Sequence, residues 1–119
     1  MDTKDLGQWG EDRAAAFLRL RGYRIAERNF SARCGEIDII AEKKEFIVFA
    51  EVKLRKSDEY GAPREFVTAS KQRKIINTAR LWLAKHDCEL QPRFDVIEIY
   101  APDGKNGRVS INHIEDAFM

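Results

Sequence analysis

Apolar residues recur along the chain with two different periods, and the helical period appears twice. It runs over residues 4–21, where Gly22 is a stop signal, and again from a cap at Thr68 or Ser70 to about residue 86. The second helix is expected to bury one apolar side. The residues on that side are Ile75, Ile76, Ala79, Leu81, Trp82 and Leu83.

Strand patterns cover most of the remaining apolar segments. The predicted strands are residues 23–30, 35–42, 46–54, 93–101 and 108–112. Residues 56–66, which contain Gly61 and Pro63, are predicted to form a loop. Because helices alternate with strands, we expect a single α/β domain over residues 1–119. Its core would be a central mixed β-sheet of about four to five strands, flanked by helices on both faces.

The third predicted strand begins with "FIVFA", which is apolar on both alternating faces and is typical of a central strand. Four charged residues nevertheless interrupt the hairpin of the second and third strands: Glu36, Asp38, Glu51 and Lys53. Residues i and i+2 share a face of a strand, so Glu36 lies beside Asp38, and Glu51 beside Lys53. Charges inside core strands are costly, and such violations are expected at functional sites.

The relative positions of these charges depend on the register of the hairpin. If its turn centres on residues 44 and 45, Asp38 lies opposite Glu51 and Glu36 lies opposite Lys53. Directly opposed Cβ atoms are about 4.5–5.5 Å apart. A slip of one residue would turn one strand over and destroy the match. In the matched register, the two carboxylates repel each other unless a cation lies between them.

A divalent cation suits this arrangement, because Mg²⁺ takes one or two carboxylates together with water and substrate phosphate. Such an ion can polarise a phosphodiester and activate a water molecule. Lys53 would orient that water or neutralise charge on the phosphate, while Glu36 would orient Lys53 or complete the acidic cluster. The alternative is an ordinary salt bridge between Glu36 and Lys53 at a solvated strand end, worth less than about 1 kcal/mol.

Charge adds a local feature to this pattern. The 119 residues carry a net charge of only +1, which argues against a generic basic DNA-binding protein. Residues 53–80, however, contain 8 basic and 3 acidic side chains. Such a stretch can attract phosphates, although it is also compatible with a solvated helix face. The candidate nucleic-acid contacts are Arg55, Lys56, Lys71, Arg73 and Lys74.

Cysteine content and hydropathy exclude several classes of protein. Cys34 and Cys88 cannot make a disulfide framework, and no cysteine or histidine spacing indicates zinc. The polar N-terminal residues do not resemble a signal peptide. No apolar run approaches the roughly 18 residues of a membrane span. We therefore expect a cytoplasmic protein with no membrane partner.

The neighbouring sequence predicts the locations of three further polar residues, His86, His113 and Asp95. His86 and His113 lack a second histidine at ligand spacing, so we expect both at the surface. Asp95 alternates with apolar residues on a predicted strand. It would either support the acidic cluster or form a structural pair with an arginine such as Arg93 or Arg55.

Several segments around the hairpin resemble a known family of bacterial proteins. They span residues 7–99 and read "GQWGEDRAAAFLRLRGYRIAERNF", "GEIDII", "FAEVKLR", "GAPREFVTASKQRKI" and "RFDVIEI". In this order they resemble the YraN-like family, which is related to the restriction-endonuclease-like, or PD-(D/E)xK, nucleases and resembles archaeal Holliday-junction resolvases. The resemblance implies a restriction-endonuclease-like fold. It also implies phosphodiester hydrolysis as a chemistry class, without a physiological substrate.

The resemblance implies a metal site. Asp38 and the Glu51–Lys53 pair match the metal-binding and catalytic D…ExK residues of the nuclease class. Glu11, on the first predicted helix, matches the acidic residue that often completes the metal site. The ligands of Mg²⁺ or Mn²⁺ would therefore be Asp38, Glu51 and Glu11, with Lys53 beside them.

The resemblance also assigns residues around that site. Glu36 matches the glutamate of the family's GEID motif. Lys71 matches a lysine that opens the second helix and faces the phosphate backbone, and Arg55 follows the ExK pair as the pattern expects. Ala50 stands where a bulkier valine is more usual, and this difference has little effect on the implied catalytic groups.

Three hypotheses follow from these features. The first is a Mg²⁺- or Mn²⁺-dependent endonuclease that hydrolyses DNA, including branched or junction DNA; a substrate cut twice would suit a homodimer. The second is a non-catalytic nucleic-acid-binding module on the same fold, of which an eroded acidic triad would be the sign. The third is a protein-interaction scaffold, which would show no salt-dependent binding of DNA.

Overall fold

A computed structural model of the protein describes residues 3–56 and 67–119, so the predicted loop lies outside the described residues except for Lys56. The elements are α1 (Thr3–Leu20), β1 (Arg24–Ala32), β2 (Gly35–Lys43), β3 (Phe46–Arg55), α2 (Ala69–His86), β4 (Gln91–Tyr100) and β5 (Ser110–Ile114). Every helix and strand predicted from the sequence forms, with its ends shifted by a residue or two at most places.

The strands form one mixed sheet in chain order, β1-β2-β3-β4-β5. β3 and β4 are parallel because α2 carries the chain back across the sheet, and all other neighbours are antiparallel. β3 is central, as its apolar pattern predicted: Ile47 and Phe49 pack under α2, whereas Val48 and Ala50 pack under α1. The predicted α/β fold class, with helices on both faces of a mixed sheet, is therefore confirmed.

Each helix buries one side against the sheet. Thr68 is the N-cap of α2, and its hydroxyl accepts a hydrogen bond from the Lys71 N–H at 3.2 Å. The prediction that Leu81 is buried is wrong, because its side chain is 51% exposed. Leu81 follows Ile75 by six positions, which turns it well away from the buried side of a helix with 3.6 residues per turn. No helix within the described residues is long and apolar enough to cross a membrane.

β2 changes the face that it buries at Asp38. Ile37 packs in the core under α2, whereas Ile39, two residues later, packs under α1. A regular strand would keep both side chains on one face. On the neighbouring strand, opposite this point of β2, Asn29 has a left-handed φ of 55°. The left-handed residue twists the strand pair locally, so the change of face occurs at Asp38 itself.

A buried polar network joins β4 to the C-terminal residues. The fully buried Asp95 accepts hydrogen bonds from Arg93 at 2.8 and 3.0 Å and from the Asp116 N–H at 3.0 Å. His113 Nε2 lies 2.7 Å from Asp95, and Arg93 also donates to the Tyr23 hydroxyl at 2.6 Å. Asp95 thus has the structural arginine pair that was one of its predicted roles. The prediction of a surface His113 is wrong, because pairing of β5 with β4 carries its ring inward.

Candidate metal and nucleic-acid site

The predicted hairpin register is correct, but its ladder ends before the charged residues. β2 and β3 pair around the turn at residues 44 and 45, and the last pair is Ile39 with Ala50. Beyond it, the Asp38 carboxylate accepts a hydrogen bond from the Val52 N–H at 2.8 Å. Asp38 and Glu51 are therefore not the ladder pair that was predicted. The Asp38 side chain instead contacts the backbone of β3 at Val52.

Glu51 is the centre of the ionic contacts at the end of this ladder. The residue is only 7% exposed, and its Oε1 lies 2.6 Å from Lys71 Nζ and 3.4 Å from Lys53 Nζ. A buried carboxylate requires such pairing to offset its lost hydration. Lys53 therefore pairs with Glu51, and within the described residues no bridge joins it to Glu36. Lys71 brings the basic start of α2 to the hairpin.

Negative charge accumulates around Asp38. Burial and the nearby Glu51 carboxylate raise the pKa of Asp38 to about 7, and Glu11 adds a smaller upward effect. The hydrogen bond from the Val52 N–H acts in the opposite direction and lowers the pKa. Burial also raises the pKa of Glu11, although a hydrogen bond from Asn29 opposes it. Glu11 Oε1 is buried and has no hydrogen-bond partner in the part of the chain that the structure describes. This side of the site would therefore gain stability from a cation.

The two lysines at Glu51 contact each other, and their pKa values are shifted in opposite directions. Burial and the contact with Lys71 lower the pKa of Lys53. Burial would lower the pKa of Lys71 too, but hydrogen bonds with Glu51 and Lys53 raise it. Lys71 thus keeps its proton more firmly than an ordinary lysine, whereas Lys53 releases its proton more readily.

These side chains fit a divalent cation that takes part of its shell from water and substrate. Among residues 3–56 and 67–119, no group of three or more His, Cys, Asp or Glu side chains forms a preassembled metal cluster. Asp38 and Glu51 provide two carboxylates, and the partnerless oxygen of Glu11 is a third acidic donor within electrostatic reach of Asp38. Because Mg²⁺ usually takes one or two carboxylates with water and phosphate, Asp38 and Glu51 would hold it, with Glu11 as the third predicted ligand.

Glu36 and the start of α2 border a surface groove beside this centre. The groove has a volume of about 250 Å³. Its walls include Glu36, Thr68, Ser70, Lys71, Lys74 and Ile75. Glu36 and Lys74 are exposed, and so is Arg73 on the same helix turn. Glu36 thus lines the groove, and its role beside Lys53 stays a prediction.

The remaining predicted contacts follow β3 away from Glu51. Arg55 Nε lies 2.8 Å from Glu98 Oε2, and its guanidinium lies over the Tyr100 ring, 5.4 Å from the ring centroid. Lys56 is exposed at the last described residue before residue 67. Glu98 was not among the predicted site residues, and its only signal in the sequence is a lone carboxylate within the apolar run "VIEIY". Arg55 is therefore anchored by a buried carboxylate beside the candidate site.

Comparison with known proteins identifies the family. Residues 10–99 match "Uncharacterised protein family UPF0102". A UPF0102 protein of Caldicellulosiruptor bescii is 47% identical over 120 residues, covering 99% of this chain and 100% of the relative. A UPF0102 protein of Clostridium perfringens is 48% identical over 118 residues, covering 98% and 95%. The matches span the segments that resemble YraN-like proteins, and the chain belongs to the UPF0102, or YraN-like, family.

Proposed function

We propose that the protein is a Mg²⁺- or Mn²⁺-dependent endonuclease that hydrolyses phosphodiester bonds of DNA, with branched or junction DNA among its substrates. The main support is the convergence of Asp38, Glu51, Lys53 and Lys71 where the β2–β3 ladder ends. Two carboxylates and two amines that meet at the end of one strand ladder are chemically suited to an ion and a phosphate. The resemblance to restriction-endonuclease-like nucleases supports the same chemistry.

Each residue has a distinct task in this proposal. Asp38 and Glu51 hold the ion, which when bound polarises the scissile phosphate and acidifies a water molecule. Lys53, whose Nζ lies 3.4 Å from Glu51 Oε1, orients the attacking water or neutralises charge that grows on the phosphate. Glu11, whose Oε1 has no hydrogen-bond partner among the described residues, would supply a further acidic oxygen to the ion. Glu36 extends the acidic cluster at the rim of the groove.

The basic residues position the substrate. Lys71, Arg73 and Lys74 project from the first turns of α2 and would bind backbone phosphates. The exposed Lys56, with the mostly buried Arg55 beside it, would extend these contacts along β3. A branched substrate needs two cuts, so a two-fold homodimer is part of the proposal. A cytoplasmic location is part of it too, since the two cysteines of the described residues are both free thiols, as a reducing compartment favours.

Cleavage assays test the proposal. Labelled linear duplex, single-stranded and four-way-junction DNA are incubated with Mg²⁺ or Mn²⁺ and either wild type, Asp38→Asn or Lys53→Met. We expect wild type to cut at least one substrate and both variants to lose at least about a hundredfold in rate, because each removes a group that acts on the reacting atoms. Glu45→Gln, in the exposed turn of the same hairpin, is the matched control and keeps wild-type activity.

Two outcomes would contradict the endonuclease proposal. Equal cutting by wild type and Asp38→Asn would assign the activity to a contaminant. The absence of cutting on any DNA form with either metal would remove the enzymatic claim.

A non-catalytic nucleic-acid-binding module is the second candidate. Two observations favour it: the described residues hold no preassembled three-ligand cluster, and Lys71 already neutralises Glu51. It predicts DNA binding of equal strength in EDTA and in Mg²⁺, without cutting in either. The endonuclease predicts that binding, cutting or both depend on the metal.

A further inference from the structure

The ion pair between Lys71 and Glu51 joins two elements that are far apart in sequence. Lys71 Nζ lies 2.6 Å from Glu51 Oε1, a short contact for a charge-assisted hydrogen bond. The Glu51 side chain is 8% exposed, whereas that of Lys71 is 42% exposed. The carboxylate is therefore fixed in the interior, and the lysine reaches it from the surface.

The two lysines at Glu51 differ in how far their side chains can move. Lys53 stands on the same strand, two residues from Glu51, and its Nζ is 3.4 Å from Oε1. Lys71 stands on the first turn of α2 and carries its charge on a flexible four-carbon stem. It also lines the groove beside Lys74, so its ammonium can swing to solvent without moving the backbone. Lys71 is thus the cation that can leave Glu51.

We propose that Lys71 is a built-in counter-cation of Glu51, which a divalent metal displaces, so that the metal releases this lysine to the phosphate-binding groove. The proposal rests on the proposed metal site at Asp38 and Glu51. A lysine ammonium and a divalent ion would compete for the same Glu51 oxygen, and the ion brings twice the charge. When the ion is bound, Lys71 loses its partner and can hold a backbone phosphate beside Lys74.

This exchange couples two binding events. The energy of the Lys71–Glu51 pair opposes metal binding, and the displaced lysine adds one cation to the DNA-binding surface. Metal should therefore strengthen DNA binding through Lys71, and by linkage DNA should strengthen metal binding.

Metal titrations of the purified full chain test the exchange. Mn²⁺ binding is measured by calorimetry at fixed pH for wild type, Lys71→Met, Lys71→Arg and Lys74→Met. We expect Lys71→Met to bind Mn²⁺ about tenfold more tightly than wild type, within the usual range of coupling between sites. Lys74→Met removes the same charge from the same helix without touching Glu51, so its affinity should change by less than about threefold. Lys71→Arg should remain close to wild type because it retains the charge.

DNA binding gives a second readout. Anisotropy with labelled, cleavage-resistant phosphorothioate duplex is measured in EDTA and in Mn²⁺. Metal should strengthen binding by wild type and by Lys74→Met more than by Lys71→Met. Circular dichroism verifies folding, and Lys71→Gln replaces Lys71→Met if the latter is unfolded.

The outcomes separate this inference from the proposed function. Mn²⁺ binding by Lys71→Met that equals or falls below wild type, while Asp38→Asn loses binding, would overturn the counter-cation role and leave the metal site intact. The absence of Mn²⁺ binding by every protein, wild type included, at about 10 mM metal would overturn the metal site itself. An equal gain in Mn²⁺ affinity in Lys71→Met and Lys74→Met would show that loss of any nearby positive charge is sufficient. That result would also overturn the exchange.

Discussion

Among single residues, Asp38 combines a contact that favours its charged form with surroundings that oppose it. The Val52 N–H donates to its carboxylate, while burial and Glu51 together raise its pKa to about 7. The unfolded carboxyl ionises near 3.8, so the folded protein binds this proton more tightly than the unfolded chain. Without metal, the contribution of Asp38 to the free energy of unfolding therefore falls as pH rises from about 4 to about 7.

The Asp38→Asn variant makes this loss measurable. Asparagine does not titrate, and its side-chain oxygen can still accept the Val52 hydrogen bond. In EDTA we expect the variant to match wild type at about pH 4 and to exceed it at about pH 8 by up to about 4 kcal/mol in the free energy of unfolding. Urea denaturation at both pH values measures the difference.

Asp12→Asn is a control of opposite sign on α1. Hydrogen bonds from Arg28 and Gln8 lower the pKa of Asp12, so its stabilising contribution exists above about pH 4 and is lost in acid. This variant should fall below wild type at about pH 8 rather than exceed it. A stability difference between Asp38→Asn and wild type that does not change with pH would contradict the raised pKa of Asp38.

The charged side chains of the candidate site could be predicted from the sequence, but the backbone groups that contact them could not. Asp38, Glu51 and Lys53 stand out because charged residues are rare inside apolar strands. Nothing in residue type shows that the Val52 N–H lacks a ladder partner or that Asn29 is left-handed. Both depend on how the strands twist against their neighbours, which is a tertiary effect.

Among the elements, the start of β2 and the first half of α2 are in close contact at Gly35. Its φ is 154°, and a Cβ built there would lie 3.1 Å from Thr78 Oγ1 and 3.3 Å from Lys74 Cβ. A side chain at this position would thus be strained and would press on α2. The glycine sets the distance between the hairpin and the helix that carries Lys71.

Gly35→Ala should therefore destabilise the fold and disturb the site together. We expect a loss of about 1–3 kcal/mol in the free energy of unfolding, measured by urea denaturation, because backbone strain and crowding coincide. Gly104→Ala is the matched control, since its φ of 81° is also left-handed but a Cβ there meets nothing within 4 Å. It should lose about 1 kcal/mol. Equal losses in the two variants would show that α2 does not press on Gly35.

Sequence patterns predicted elements and local register better than they predicted packing. The hairpin register followed from alternation around residues 44 and 45, because both strands and their turn are contiguous. Leu81 and His113 were misplaced for different reasons. Leu81 lies in an apolar run whose members cannot all face one side of a helix, and His113 is buried only through pairing of β5 with β4, a contact that the sequence does not reveal.

At the scale of the whole molecule, a nearly neutral chain gathers basic side chains on one edge. Net charge is +1, yet Lys71, Arg73 and Lys74 stand together at the start of α2, beside the groove and the end of the β2–β3 ladder. Binding of a polyanion would therefore depend on this edge rather than on the average field of the molecule.

Reversing two of these charges should weaken DNA binding and reduce its salt dependence. For Arg73→Glu/Lys74→Glu we expect about tenfold or greater loss of affinity, and a decrease of about two in the slope of log K against log salt, since each lost phosphate contact removes about one. Fluorescence anisotropy in EDTA between about 50 and 200 mM salt measures both. Lys105→Glu/Arg108→Glu, in the exposed segment before β5, is the matched control. If that control loses as much affinity, binding is not localised at α2.

β1 lies at one end of the sheet, and its irregular backbone has a consequence for self-association. A register shift between Ile25 and Glu27 and the left-handed Asn29 interrupt the strand within five residues. A regular strand from another molecule could pair with only a short part of such an edge, which natural sheets use to avoid stacking into fibrils. Amyloid-like stacking through the β1 edge is therefore disfavoured, and so is a dimer that extends the sheet through β1.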